Sequence, residues 1–206
     1  MCESNLLTSH KLTMFIQSSD GTINSYPVME KWEEPYMNKL AQIVCTHSLN
    51  GKILEIGYGM GISARYIDQY DLKEHVIIES NKELYENCLL YAKTGKKMNI
   101  TPIYGCYEDV VKNLEKESFD GILFDAYSTK ELMPHHNFFP LAFELLKNNG
   151  IFTYFCPYPI HISTYEENLL KKTGFSKIEY EVVKVEPPPL CSYWKYKSIV
   201  APIIIK

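Results

Sequence analysis

The sequence predicts an α/β fold: a mostly parallel, seven-stranded twisted sheet with helices on both faces and an antiparallel last strand. Three observations carry this expectation. Short apolar runs alternate with amphipathic stretches from residue 35 to residue 174; the run Ile53-Leu54-Glu55-Ile56 ends in Gly57, Gly59 and Gly61 before a helical pattern; and a second run closes on Glu79, 20 residues after Gly59. Strands linked through helices form parallel sheets with right-handed crossovers. The last two runs have no helix between them, so they should pair antiparallel.

Taken in order, Thr13 to Ser25 reads as a hairpin or loop around the turn dipeptide Asp20-Gly21. Pro27 leads into a helix. Pro35 suits a first helical turn, where a missing N–H costs nothing, and Tyr36, Met37, Leu40, Ile43 and Val44 follow at helical spacing. Strand one is Lys52–Gly57, followed by a helix to about Tyr70, a strand over 75–79 and a helix over Lys82–Thr94. A third strand covers Ile100–Tyr104 and a helical piece Tyr107–Lys116. Phe119–Asp125 is apolar almost throughout, as a strand covered on both faces should be. Phe138–Lys147 reads as a helix stopped by Asn149-Gly150, Ile151–Cys156 as the fifth strand, and Thr164–Thr173 as a helix ended by Gly174. Ser176–Val185 and Tyr196–Ile205, joined through Pro187-Pro188-Pro189, complete the sheet.

The glycine turn is a nucleotide-binding signal. Glycine serves where φ is positive or where a Cβ would block a ligand, and the next helix presents unpaired N–H groups. The Glu-x-Gly-x-Gly-x-Gly spacing lacks the G-x-G-x-x-G of dinucleotide folds, which favours S-adenosylmethionine over NAD. Glu79 stands at the distance where such units place a carboxylate on ribose hydroxyls. Ligands of open sheets bind beyond the carboxyl ends of the strands, which directs attention to Asp125, an acid closing an apolar strand. A carboxylate beside a sulfonium cofactor suits a cationic acceptor.

Composition sets the limits. The 206 residues are enough for one good core, and 46% hydrophobic with 22% charged residues is ordinary globular usage. The net charge of −4 and the lack of Lys/Arg runs argue against a nucleic-acid substrate. The apolar stretches are strand-sized and Met1-Cys2-Glu3-Ser4-Asn5 lacks signal-peptide character, so a cytoplasmic chain without membrane partners is expected. Six scattered cysteines without a C-x-x-C pair should be reduced and packed. His135-His136 is the one histidine cluster; adjacent histidines on a loop point apart, so no metal is expected and a loop role near the substrate is.

A closer resemblance rests on Val28-Met29-Glu30-Lys31-Trp32-Glu33-Glu34-Pro35-Tyr36-Met37. It is similar to the Val-Met-x-x-Trp-Glu-x-Pro-Tyr-Met signature of guanidinoacetate N-methyltransferases and related arginine methyltransferases. The similarity continues through Leu54–Met60, Ile77–Asn81, Tyr107–Val110, Phe119–Asp125, Leu145–Tyr154 and Pro187-Pro188 with Cys191, about 180 residues from Pro27 to Lys206. It implies a Rossmann-like class I methyltransferase fold over residues 27–206, with 1–26 as an N-terminal hairpin or lid. It further implies S-adenosylmethionine as cofactor, S-adenosylhomocysteine as product, and guanidinoacetate (yielding creatine), free arginine or a similar guanidino compound as acceptor. The chain would act as monomer or homodimer.

By the same resemblance Met29 and Met37 line the cofactor and acceptor pocket. Gly57, Tyr58, Gly59, Met60, Gly61, Ile62 and Ser63 cradle the methionine part; Glu79, Ser80 and Asn81 hold the ribose; Tyr107 and Glu108 meet the adenine. Glu33 and Asp125 clamp the guanidinium, with Asp125 also at the cofactor, and Tyr36, Tyr127, Pro157 and Tyr158 complete the acceptor pocket. The chemistry agrees, because two carboxylates can grip a planar five-donor guanidinium and Asp125 can take the proton lost on methylation. The departure lies in Phe155-Cys156-Pro157-Tyr158-Pro159, where the family offers backbone N–H groups to the acceptor's carboxylate and proline has none. The chain is also shorter than the family between Tyr127 and Phe138 and after Pro159, and residues before Pro27 match poorly. Other readings are a non-catalytic nucleoside-binding module and a methyltransferase for another amine or a hydroxyl; an intact Glu33 and Asp125 disfavour the first, and the second leaves Glu33 without a cationic partner.

Overall fold

A computed structural model describes residues 22–23, 26–27, 30–46, 48, 50–94, 99–126 and 133–206. Its centre is a seven-stranded sheet of β1 (Lys52–Ile56), β2 (Glu74–Glu79), β3 (Ile100–Tyr104), β4 (Phe119–Phe124), β5 (Leu146–Tyr154), β6 (Lys177–Lys184) and β7 (Ser198–Ile205). The spatial order is β3-β2-β1-β4-β5-β7-β6. Pairings among β1 to β5 are parallel; β7 enters between β5 and β6 and is antiparallel to both. The chain leaves β1 towards β2 on one side and returns to β4 on the other, so β1 and β4 flank the switch point where open α/β sheets bind ligands.

Alternation along the strands distributes the core. Leu54, Ile56, Ile122, Phe124, Phe152 and Tyr154 face α5 (Pro134–Leu145) and α6 (Thr164–Thr173), against Phe138, Phe139, Ala142, Leu145 and Leu170. Ile53, Leu123 and Ile151 face the opposite side, where α1 (Glu34–Thr46) buries Tyr36, Met37, Leu40, Ala41, Ile43 and Val44. The shorter α2 (Ile62–Ile67), α3 (Lys82–Thr94) and α4 (Tyr107–Val110) complete the layers. Pro140 lies inside α5 and cannot donate to the carbonyl one turn back, a defect of about 3 kcal/mol. Phe138 and Phe139, both fully buried, contribute roughly 1.5–3 kcal/mol each and offset it.

Two boundaries move clearly from the sequence expectation, and one expected turn falls outside the described residues. Thr22–Ile23 pairs antiparallel with Tyr26–Pro27; the turn expected at Asp20-Gly21, with residues 13–21, lies outside the described residues. The fifth helix spans Pro134–Leu145, and Asn149-Gly150 lies inside β5, not at a helix end. Leu146 turns extended to pair with Phe119 in the buried sheet, and the register shift between Phe119 and Gly121 absorbs the added residues, with Asn149 at φ 63°. Tyr107–Lys116 shortens to α4 and a 3-10 turn over Val111–Asn113. Among the described residues no helix is long and apolar enough to cross a membrane.

Candidate active site

The glycine turn after β1 is held from both sides. Gly57 has φ 91° and its N–H donates to the Ile78 carbonyl at 2.8 Å, while a Cβ there would stand 2.2 Å from the Asp125 carbonyl oxygen. The residue therefore brings the ends of β1 and β4 into contact across the switch point. Gly61, at φ 67°, precedes α2, and a Cβ there would run into the Tyr58 ring at 2.6 Å. Glu79, buried at the end of β2, accepts from the N–H of Tyr58 at 2.9 Å, Gly59 at 3.4 Å and Asn81 at 2.7 Å. A carboxylate has about four lone-pair sites, so it fixes the loop and retains capacity for a hydroxyl.

Below the turn lies a layer that the sequence left without a role. Glu55 is fully buried; Ser63 Oγ donates to its Oε1, and its Oε2 lies 2.9 Å from His75 Nε2. Glu55 thus anchors the first turn of α2 to the sheet. Its signal was the leading Glu of the glycine motif, but nothing in the sequence paired it with His75.

At the other side of the switch point, Asp125 follows β4 with its N–H donated to the Ile56 carbonyl at 2.9 Å. Burial pushes its carboxyl up to about 7, and the nearby charge of Glu33 adds to the shift, followed by Glu55 and Glu79. Glu33 comes from the 3-10 turn that opens α1. Its Oε2 accepts from the Glu30 N–H at 2.7 Å and the Tyr193 hydroxyl at 3.0 Å. Burial also raises the Glu33 carboxyl; those two hydrogen bonds lower it and do not cancel the rise. Among the described residues neither carboxylate has an ion-pair partner. The charge of Glu33 thus bears on Asp125, and no ion pair among the described residues offsets it.

Tyr193, which sequence reasoning missed, ties the connection between β6 and β7 to this acid. Its hydroxyl also lies 3.3 Å from Glu30 Oε2, which accepts from Trp32 Nε1 at 2.6 Å, and the Tyr193 and Trp32 rings pack at 5.8 Å. No spacing rule connects position 193 to position 33.

The remaining expected residues divide. Gly57, Gly59 and Met60 are partly exposed along the turn, Ser80 is exposed and Asn81 partly so, with its side chain capping α3 through the N–H groups of Glu83 and Leu84. Tyr58, Ile62 and Ser63 are buried behind the turn, and Met37 and Tyr36 within α1. Tyr36 has no exposed surface; its hydroxyl bonds the carbonyls of Val200 (3.0 Å) and Tyr154 (3.3 Å) and accepts from Cys156 N–H (3.0 Å), so it supports the pocket wall from behind. Tyr107 points into the core, edge-on to Phe124 and Phe138, and leaves Glu108 exposed beside it. Pro157 and Tyr158 are partly exposed beyond β5. Met29 and Tyr127 lie outside the described residues. His135 and His136 sit in the first turn of α5, not on a loop, as Pro134 opens the helix ahead of them.

Comparison with known proteins bears on the fold and the family. The chain is 26% identical over 195 residues to the protein arginine N-methyltransferase 2 of Yarrowia lipolytica, covering 86% of this chain and 38% of that protein. The chain thus spans little more than a third of that relative. Among solved structures, an S-adenosylmethionine-dependent methyltransferase from Archaeoglobus fulgidus superposes with TM-score 0.62 at 13% identity, over 94% of this chain and 99% of the other. The M. jannaschii TYW2 structure in complex with AdoMet gives 0.61 at 20% identity, over 86% and 76%. The fold is that of the class I S-adenosylmethionine-dependent methyltransferases. The family model for guanidinoacetate N-methyltransferase matches residues 13–206, nearly the whole chain, and with that match the chain belongs to the guanidinoacetate N-methyltransferase family.

Proposed function

We propose that the chain transfers a methyl group from S-adenosylmethionine to a guanidinium nitrogen, with Glu33 and Asp125 as the clamp. The observation that carries this reading is the pair of raised carboxyls at the switch point, Asp125 under the charge of Glu33, without an ion-pair partner among the described residues. The cofactor fits the residues present. Gly57 and Gly59 leave the turn partly exposed at the carboxyl end of β1, and Glu79 keeps an acceptor site for ribose. When bound, the cofactor supplies an electrophilic methyl carbon on a sulfonium. Met60 and the glycine backbone would border its methionine part, with Ser80 and Asn81 near the ribose.

Asp125 and Glu33 then have separate tasks. A guanidinium stays protonated below about pH 12, so the attacking nitrogen must lose a proton as the C–N bond forms, and Asp125 accepts it. A group whose pKa stands near 7 is well suited to hold that proton and release it to water. Glu33, fixed by Tyr193 and the Glu30 N–H, orients the opposite edge of the acceptor. Placement of the nitrogen in line with the methyl group supplies much of the remaining acceleration, of the order of 7–11 kcal/mol in well-oriented systems.

The tail of the acceptor is the finer question, and the segment after β5 bears on it. Phe155 N–H is spent on the Phe124 carbonyl at 2.9 Å, Cys156 N–H on Tyr36, and Pro157 and Pro159 have none. Such a wall has little to offer an anionic tail, which favours an arginine-type side chain, as in the name of the fungal relatives, over guanidinoacetate.

The test is methyl transfer from labelled S-adenosylmethionine to guanidinoacetate, arginine and an arginine-containing peptide, with the peptide as best acceptor; no transfer to any guanidino compound would overturn the reading. Binding should also depend on pH. Only ionised Asp125 attracts the cation, so guanidino affinity in the presence of S-adenosylhomocysteine should rise as pH increases from 6 to 8, up to about tenfold per unit below 7, by calorimetry. Tyr193→Phe should raise the acceptor KM about tenfold through the loss of a hydrogen bond to a charged group, and leave S-adenosylhomocysteine affinity unchanged.

A further inference from the structure

We propose that His135, His136 and Glu166 form a site for a divalent transition-metal ion, zinc by the chemistry of the ligands, at the joint between α5 and α6. One ligand atom from each residue converges there, and no two of these atoms are more than 4.8 Å apart. His135 Nε2 is 2.9 Å and His136 Nε2 3.6 Å from Glu166 Oε1. Tetrahedral bonds of about 2.0–2.2 Å place ligand atoms roughly 3.3–3.5 Å apart, so small rotations of the two rings bring the set around one ion.

A hydrogen bond between His135 and Glu166 accounts for only two of the atoms. His136 Nε2, Glu166 Oε2 and the Tyr154 hydroxyl are all buried and make no aligned hydrogen bond, although they lie in one place. Glu166 and Tyr154 are fully buried, and the His135 ring stacks on Tyr154 at 4.7 Å, which closes the site from the sheet side. Buried polar atoms without partners are rare and point to a missing water or ion. With both rings neutral and protonated on Nδ1, His135 Nε2, His136 Nε2 and one Glu166 oxygen each offer a lone pair that a cation satisfies at once, while the Tyr154 hydroxyl faces Glu166 as a donor. Two imidazoles and one carboxylate suit zinc, with a fourth position for water.

Adjacent histidines meet here because they occupy a helical first turn. Successive side chains diverge by about 100° there, yet the two rings bend towards each other and pack at 4.6 Å. Glu166 is fixed from the facing helix, its N–H donated to the Ser163 side chain at 3.2 Å. The positive ends of two helices oppose a cation, and the buried carboxylate answers them. An ion here would tie α5 to α6 against Cys156–Tyr158, where the Tyr158 hydroxyl also faces Glu166.

The test uses the purified chain after chelator treatment, titrated with Co²⁺ and then Zn²⁺. One equivalent of Co²⁺ should bind and give the visible absorption of a four- or five-coordinate ion without a sulfur-to-cobalt charge-transfer band; Zn²⁺ should displace it. His136→Ala, at a partly exposed position, should weaken Co²⁺ binding by roughly 100-fold or more with unchanged S-adenosylhomocysteine affinity. Failure to bind one equivalent, a thiolate band, or unchanged cobalt binding in both His136→Ala and Glu166→Gln would each overturn the proposal and leave water as the partner of the orphan atoms.

Discussion

Asp125→Asn should lower methyl transfer to a guanidino acceptor by at least 10²–10⁴-fold, the range ascribed to a positioned general base. The amide keeps the size of the side chain but has neither the charge to attract the cation nor a site for the departing proton. S-adenosylhomocysteine should bind nearly as before, because the glycine turn is held by backbone bonds to Ile78 and Glu79. Stability should move the other way. The folded-state carboxyl stands near 7 against an ordinary value of 3.8, so the native state binds the extra proton in that window and wild-type stability falls as pH rises through it. The variant has no such loss, and at pH 8 its urea midpoint should equal or exceed that of the wild type without ligand. Near wild-type methylation by Asp125→Asn would remove the residue from the chemistry; a large drop in its midpoint at pH 8 would make its role structural.

Asp125 stands out in the sequence for a physical reason. An acid at the end of an apolar strand violates the hydrophobic pattern, and such violations gather at functional sites. Periodicity also exposed the strands and long helices, since Leu54, Ile56, Ile122 and Phe124 alternate with residues of the other face and Tyr36, Met37, Leu40 and Val44 repeat at helical spacing. What escaped is non-local. Asn149-Gly150 reads as a helix stop by local chemistry, yet the pairing of Leu146 with Phe119 decides where the helix ends. Glu55 with His75, Glu33 with Tyr193, and His135 and His136 with Glu166 are partners from separate elements. Each pair becomes adjacent only when the sheet order is known. The acid at position 33 was legible through the Trp-Glu-x-Pro-Tyr-Met block, but not the tyrosine that fixes its geometry.

The glycine turn gives the second large effect, on the fold itself. Gly57→Ala should destabilise the chain by about 3–5 kcal/mol, a size reserved for changes with a specific mechanism. Two costs combine. A φ of 91° lies outside the left-handed well that an L-residue tolerates, a strain of about 1–3 kcal/mol. The new methyl would also stand 2.2 Å from the Asp125 carbonyl oxygen and 3.0 Å from its carbon, both backbone atoms that cannot rotate away. Relief requires the ends of β1 and β4 to part, which strains the hydrogen bond from Asp125 N–H to the Ile56 carbonyl. Gly59→Ala is the control: its φ of 51° falls in the left-handed well, where the penalty is about 1–2 kcal/mol. Urea unfolding should therefore separate the two variants by a clear shift in midpoint at equal slope. Because the same displacement moves Asp125, the Gly57 variant should lose acceptor methylation even under conditions where it remains folded. If the two alanine variants unfold at the same midpoint, the switch point is not locked by backbone contact, and the placement of Asp125 needs another explanation.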